Sequence, residues 1–174
     1  MFWCFGVIFA NAQKYTDFMG LSMDRQSVEF ENMLLSKGFE HKSSFVGEHW
    51  NTRIFYGTFQ GVYTSVFLNE AFDSKRLATA SIGFWSEVDD TLSAKMLFVE
   101  KYKELQGKYG DMTYFTEDPE SDFRFSNLNI YFNENRICLS TVRMESGHSD
   151  FLKPGEKFWI ITVTYYPLAF KPEE

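Results

Sequence analysis

The sequence predicts an α+β fold in which two helices lie on one face of an antiparallel sheet. Three observations carry that prediction. Two segments, Asp24–Lys37 and Asp90–Tyr109, space their apolar residues three and four apart, the helical period. Between and after them run short β-branched and aromatic segments broken by Gly and Asn turns. The chain also holds 20 Phe, 9 Tyr and 4 Trp in 174 residues, side chains that favour strands and bury large areas.

In the first helix Asp24 is the expected N-cap, and Val28, Phe30, Met33, Leu34 and Leu35 form the expected apolar stripe. Gly38-Phe39 reads as a C′ glycine with its hydrophobic contact. Phe39–Val46 follows as a short strand, then Trp50–Phe59 and Val62–Leu68. The latter pair is joined through Phe59-Gln60-Gly61-Val62, a tight hairpin. Leu77–Trp85 is the next strand. The second helix is capped by Asp90 or Thr91, carries Leu92, Met96, Val99, Tyr102, Leu105 and Tyr109, and ends at Gly110. Strands then recur at Phe123–Phe132, Ile137–Met144 and Phe158–Tyr166, the first two joined through Asn133-Glu134-Asn135-Arg136.

The layout reads as α-β-β-β-β followed by α-β-β-β-β, with bounds assigned to three of the last four strands. It divides the chain into a unit over 13–88 and a second over 89–174, the latter with a C-terminal tail. With no Pro/Gly/Ser-rich linker between them, the halves are expected to pack together. This order resembles the beta-lactamase inhibitor protein family, secreted tandems of helix-plus-four-strand units. The resemblance is architectural and covers most of the chain. It implies a concave sheet face that grips a protein target, and it carries no functional residue over. That family staples its repeats with disulfides, whereas Cys138 is the single cysteine here beyond Cys4.

Met1–Ala10 is apolar throughout and ends in Ala10-Asn11-Ala12, an A-x-A pattern ahead of Lys14. Residues 1–12 therefore read as a secretory signal, truncated at its start because no Lys or Arg precedes the apolar run. The expectation is export to a periplasmic or extracellular space. No transmembrane segment is expected in the mature chain, since a spanning helix needs about 20 apolar residues.

Net charge is −7, from 17 basic and 24 acidic residues. The basic residues form no stripe, so nucleic acid is not an expected partner. Cys138, within the strand pattern Ile137–Val142, is expected to be a buried, inert thiol. His41, His49 and His148 have no metal-ligand spacing. Thr79-Ala80-Ser81-Ile82-Gly83 lacks the first glycine and the immediate helix of a nucleophile elbow. The acidic stretch Glu117–Asp122 lacks EF-hand spacing. No catalytic residue, metal or cofactor is therefore assigned.

Strand alternation supplies the candidate site instead. In the last strand Trp159, Ile161, Val163 and Tyr165 share one face and Thr162 and Thr164 the other. Asn127, Asn129 and Tyr131 oppose Leu128, Ile130 and Phe132, and Tyr63 and Ser65 extend the Tyr/Asn/Thr side into the first half. The expected function is a non-enzymatic binding module for a protein or small ligand, with Tyr63, Asn127, Asn129 and Tyr131 as its contact residues. The alternative is an envelope hydrolase whose carboxylates and histidines converge only in the fold.

Overall fold

Eight strands form one antiparallel sheet in the computed structural model, which describes residues 16–47, 50–72, 74–86, 90–116, 128–145, 155 and 157–168. The expected signal segment, Asn127, His49, His148 and the acidic stretch Glu117–Asp122 lie outside the described residues.

The chain enters through a two-residue-per-strand hairpin, β1 (Asp17–Phe18) and β2 (Leu21–Ser22), for which the sequence pattern gives no signal. Helix α1 spans Ser27–Ser36. It starts at Gln26 rather than Asp24, because Glu29 reaches back to the Gln26 backbone N–H (3.4 Å) in a capping-box arrangement. Its end matches the expectation. Gly38 takes a left-handed φ of 83°, its N–H donates to the Leu35 carbonyl, and the Phe39 N–H donates to that of Leu34. This is the Schellman pattern.

Strands β3 (Glu40–Val46), β4 (Trp50–Phe59), β5 (Val62–Ala71) and β6 (Leu77–Trp85) follow as a meander. At the β4–β5 turn Gln60 and Gly61 both have positive φ, which a two-residue I′ hairpin requires. Helix α2 spans Thr91–Tyr109, with the Asp90 carboxylate accepting from the Leu92 and Ser93 N–H groups. A second meander comprises β7 (Tyr114–Thr116), β8 (Asn129–Phe132), β9 (Ile137–Glu145) and β10 (Lys157–Tyr165). The two meanders join through their last strands, giving the order β3-β4-β5-β6-β10-β9-β8-β7.

Both helices contact the same sheet face. Cross-strand partners share a face, so Phe55, Val66, Ile82, Val163, Leu139 and Ile130 form one row beneath the helices. Phe30 and Leu34 of α1 and Ala94, Phe98 and Leu105 of α2 join the same core. Arg53 of β4 pairs with Glu31 of α1 and with Glu70 of β5 (2.8 Å), tying α1 down by charge as well as packing.

The expected stripe of α2 is half wrong. Leu92, Met96 and Val99 are exposed, and the buried side is Ala94, Phe98, Lys101 and Leu105. The steps from Met96 to Val99, Tyr102 and Leu105 are each three residues. At about 100° per residue each step falls about 60° short of a full turn, so together they swing to the opposite side of the helix. In α1 likewise Val28 and Leu35 are exposed while Phe30 and Leu34 are buried.

Candidate binding face

The other face of the sheet carries no helix among the described residues. One row across it runs Ile54, Phe67, Ser81, Thr164, Cys138, Tyr131 and Tyr114. The next runs Tyr56, Ser65, Gly83, Thr162, Ser140, Asn129 and Thr116. Trp85, Ile160 and Val142 begin a third, and Thr52, Asn69 and Thr79 lie on the far side. No position in these rows from β4 to β7 is Asp, Glu, Lys, Arg or His, although charged residues make up 24% of the chain; the edge strand β3 adds Glu40 opposite Tyr56. On the helix-covered face the sheet does hold charges, at Arg53 and Glu70.

Several polar groups of this face are paired with one another. Thr52 Oγ1 donates to Asn69 Oδ1 (2.8 Å), and Asn69 Nδ2 donates to Thr79 Oγ1 (2.7 Å). Ser81 and Thr164 share a hydroxyl–hydroxyl bond of 2.9 Å across the junction of the meanders. Asn129 Nδ2 lies 3.3 Å from Thr116 Oγ1. Such pairs are the usual unit of sheet stabilisation, each contributing roughly 0.2–1 kcal/mol.

Aromatic rings line one end. Tyr63 stacks on Tyr56 (centroids 6.0 Å, 11°), Tyr56 approaches Trp85 (6.4 Å), and Trp85 stacks on Phe158 (5.0 Å, 15°). The Trp85 indole N–H donates to Ser65 Oγ at 3.1 Å. Gly83 makes room here, since a Cβ on it would sit 2.6 Å from Ser65 Oγ.

Tyr63, Asn129 and Tyr131 all lie on this one face, as alternation predicts, but their surroundings differ. Tyr63 is 52% exposed and Asn129 is half-buried. Tyr131 is only 6% exposed, which corrects the expectation of an open tyrosine. It lies near Tyr114 (5.8 Å) and opposite Cys138 in the register. Burial, with Cys138 and Tyr166 nearby, holds the Tyr131 phenol well above the ordinary tyrosine range. Burial likewise pushes the Cys138 thiol up to about 12, offset in part by its hydrogen bond with Tyr131. The face is therefore exposed at Tyr63 and Val142 but buried at Thr52, Ser65, Ser81, Ile160 and around Tyr131. Sequence alternation assigns the side of a strand; it does not register how far neighbouring rings cover it. Trp85 is the face residue that sequence reasoning missed, although its position at the end of a strand pattern makes it readable by the same alternation.

A second feature lies under α2. A cavity of about 140 Å³ is bordered by the β1–β2 hairpin, α2 and the middle of the sheet, with Phe59, Phe84, Leu105, Val163 and Tyr165 among its walls. Lys101, 6% exposed, reaches into this region. Its ammonium meets Glu104 (3.1 Å), Glu100 (3.4 Å) and the Gln60 amide oxygen (3.4 Å), and stands 4.6 Å from the Phe84 ring centre. The lysine is thus satisfied by its own surroundings.

His41, on β3, bonds Ser44 Oγ (2.8 Å) and meets the Phe55 ring edge-on. Among the described residues no group of three His, Cys, Asp or Glu side chains could hold a metal ion, and no helix is long and apolar enough to cross a membrane. No family model, no curated protein and no solved structure matches this chain.

Proposed function

We propose that this protein is an exported, non-enzymatic binding module that seats a partner protein against the open face of its sheet, in the manner of an inhibitor. The observation that carries the reading is that the described positions of this face from β4 to β7 hold no charged residue, Glu40 entering only at the β3 edge, and that several of its hydroxyls and amides pair with one another. An ordinary solvated sheet face gathers the polar residues of each strand, the apolar ones alternating onto the core face. A face that can be dried without stranding charges or donors has the make-up of an interface centre, where charged residues are depleted and Tyr and Trp enriched. Tyr63 and Trp85 are the anchors at the open end, with the half-buried Asn129 toward the other, where Tyr131 is buried.

The same reading treats the two meanders, each with its helix, as related units packed edge to edge. That arrangement would make the continuous face a product of joining them, as the resemblance to tandem inhibitor domains implies. Export is part of the proposal through the 1–12 signal, and the native protein should begin at or beside Gln13 by mass spectrometry. The binding claim is tested by affinity capture from the native envelope fraction. Tyr63→Ala should weaken retention of the captured partner by more than about 1 kcal/mol, and His41→Ala should not. Loss with His41→Ala and retention with Tyr63→Ala would reverse the assignment.

A further inference from the structure

We infer that the cavity beneath α2 is a binding site for an uncharged compound of one aromatic ring carrying a single small polar group. The cavity lies on the helix-covered side of the sheet, away from the face proposed to seat a partner protein.

Size and lining set the ring. The floor is Ile82, Phe84, Leu105 and Val163, each no more than 5% exposed. The rim is Gly20, Gln60, Glu104 and Lys108, all exposed, so the cavity opens to solvent between the β1–β2 turn and α2. Its volume is about 140 Å³. An engineered apolar cavity of about 150 Å³ takes up benzene. One ring with one small substituent therefore fills this cavity, and a fused pair of rings exceeds it.

The charge balance argues against an ion. Among the lining residues Asp17 and Glu104 are acidic and Lys101 and Lys108 basic, so no net charge draws an ion in. Lys101 has nothing to spare. An ammonium has three donors, and Glu104 (3.1 Å), Glu100 (3.4 Å) and the Gln60 amide oxygen (3.4 Å) take them. The Gln60 amide N–H in turn donates to Glu104 (3.4 Å). A charged ligand would lose its hydration without gaining a counter-charge, a cost that a neutral ring escapes.

Tyr165 supplies the polar contact. It forms part of the wall, is half-buried, and its hydroxyl makes no hydrogen bond to a described residue. An edge contact with Phe18 (5.4 Å) orients its ring. Burial, with Tyr109 and Glu104 nearby, holds the phenol above the ordinary tyrosine range, so it keeps its proton and can both donate and accept. A hydroxyl on the bound ring gives that group a partner.

Methyl-detected NMR titration of the full chain with phenol, toluene, benzoate and benzylammonium tests this. Phenol should bind saturably with a Kd of about 1 mM or tighter. It should move the Ile82, Leu105 and Val163 methyl signals and leave those of the exposed Leu92 and Val99 unmoved. Benzoate and benzylammonium should bind at least about tenfold more weakly. Tyr165→Phe keeps the ring and removes the hydroxyl. It should weaken phenol about fivefold, as the loss of one hydrogen bond does, and leave toluene within about twofold. Should that variant not fold, the ranking of the ligands on the wild-type protein still decides the site. No saturation by phenol, tighter binding of either ion, or shifts confined to the outer side of α2 would overturn the site. Equal losses of phenol and toluene in Tyr165→Phe would overturn the hydroxyl as its polar contact.

Discussion

The two faces of this sheet are built from the same strands and differ in what they tolerate. The helix-covered face holds Phe30, Leu34, Phe98 and Leu105 against a fully apolar row, yet accepts Arg53 and Glu70 toward its edge, where Glu31 of α1 completes the ion pair. The other face holds no charged position from β4 to β7 among the described residues, has Glu40 only at its β3 edge opposite Tyr56, and pairs several of its polar groups within itself. The difference teaches that covering by helices is compatible with a charged rim, because a helix can bring the counter-charge. A face with charge only at its β3 edge, and no helix over it among the described residues, is suited to apolar and hydroxyl contacts at its exposed positions.

The largest contrast expected is chemical. Cys138 sits on the open face, but where that face is closed over, and its thiol is raised from 9.0 to about 12. At pH 8 the folded protein should be alkylated on the order of a thousandfold more slowly than the unfolded chain, because the thiolate is the reactive form. Peptide mapping after iodoacetamide, with and without denaturant, reads this directly. The linkage sign follows from the raised value. The contribution of Cys138 to stability is intact below about pH 9 and declines as pH rises from 9.0 toward about 12, since only the unfolded state gains by ionising there. Comparable alkylation in both states would mean the β8–β9 end of the face is open.

On the helix-covered side, Leu105→Ala should destabilise the fold by about 2–5 kcal/mol, the range for emptying a fully packed core site. Chemical denaturation measures it, and a change near zero would dissolve the assignment of the α2 inner side. Within the open face, Asn69→Ala should cost about 1 kcal/mol by breaking the Thr52–Asn69–Thr79 chain. The smallest effect belongs to the outer side of α2: Met96, 65% exposed, should tolerate serine within about 0.5 kcal/mol. A large loss at Met96 would show that this exposed stripe is covered in solution, and the contrast between the two faces would no longer hold.

Much of this contrast is legible in the sequence because strand alternation has a strict period of two. Val163 and Ile161 fall on the covered side and Thr162 and Thr164 on the open side, as alternation requires. The hairpin at Gln60-Gly61 and the end of α1 at Gly38 are legible for a different reason: both need positive φ, and glycine marks it. Helix faces are less secure, as the drift along Met96, Val99, Tyr102 and Leu105 shows. Three β elements escaped pattern altogether. β1 and β2 have two residues each and β7 has three, too few for alternation to register. The burial of Tyr131 could not be read either, because it depends on which rings and hydroxyls arrive from strands distant in sequence.

The two outward-facing apolar sites offer the most direct test that the sheet face opposite the helices, and not the α2 stripe, is the surface of association. A photo-crosslinking amino acid is placed at Tyr63 in one variant and at Met96 in another, and each is irradiated in cells expressing the full chain. The account predicts discrete crosslinked adducts from position 63, whether to a second copy or to another protein, and none above background from position 96. Adducts from position 96 with none from position 63 would contradict it.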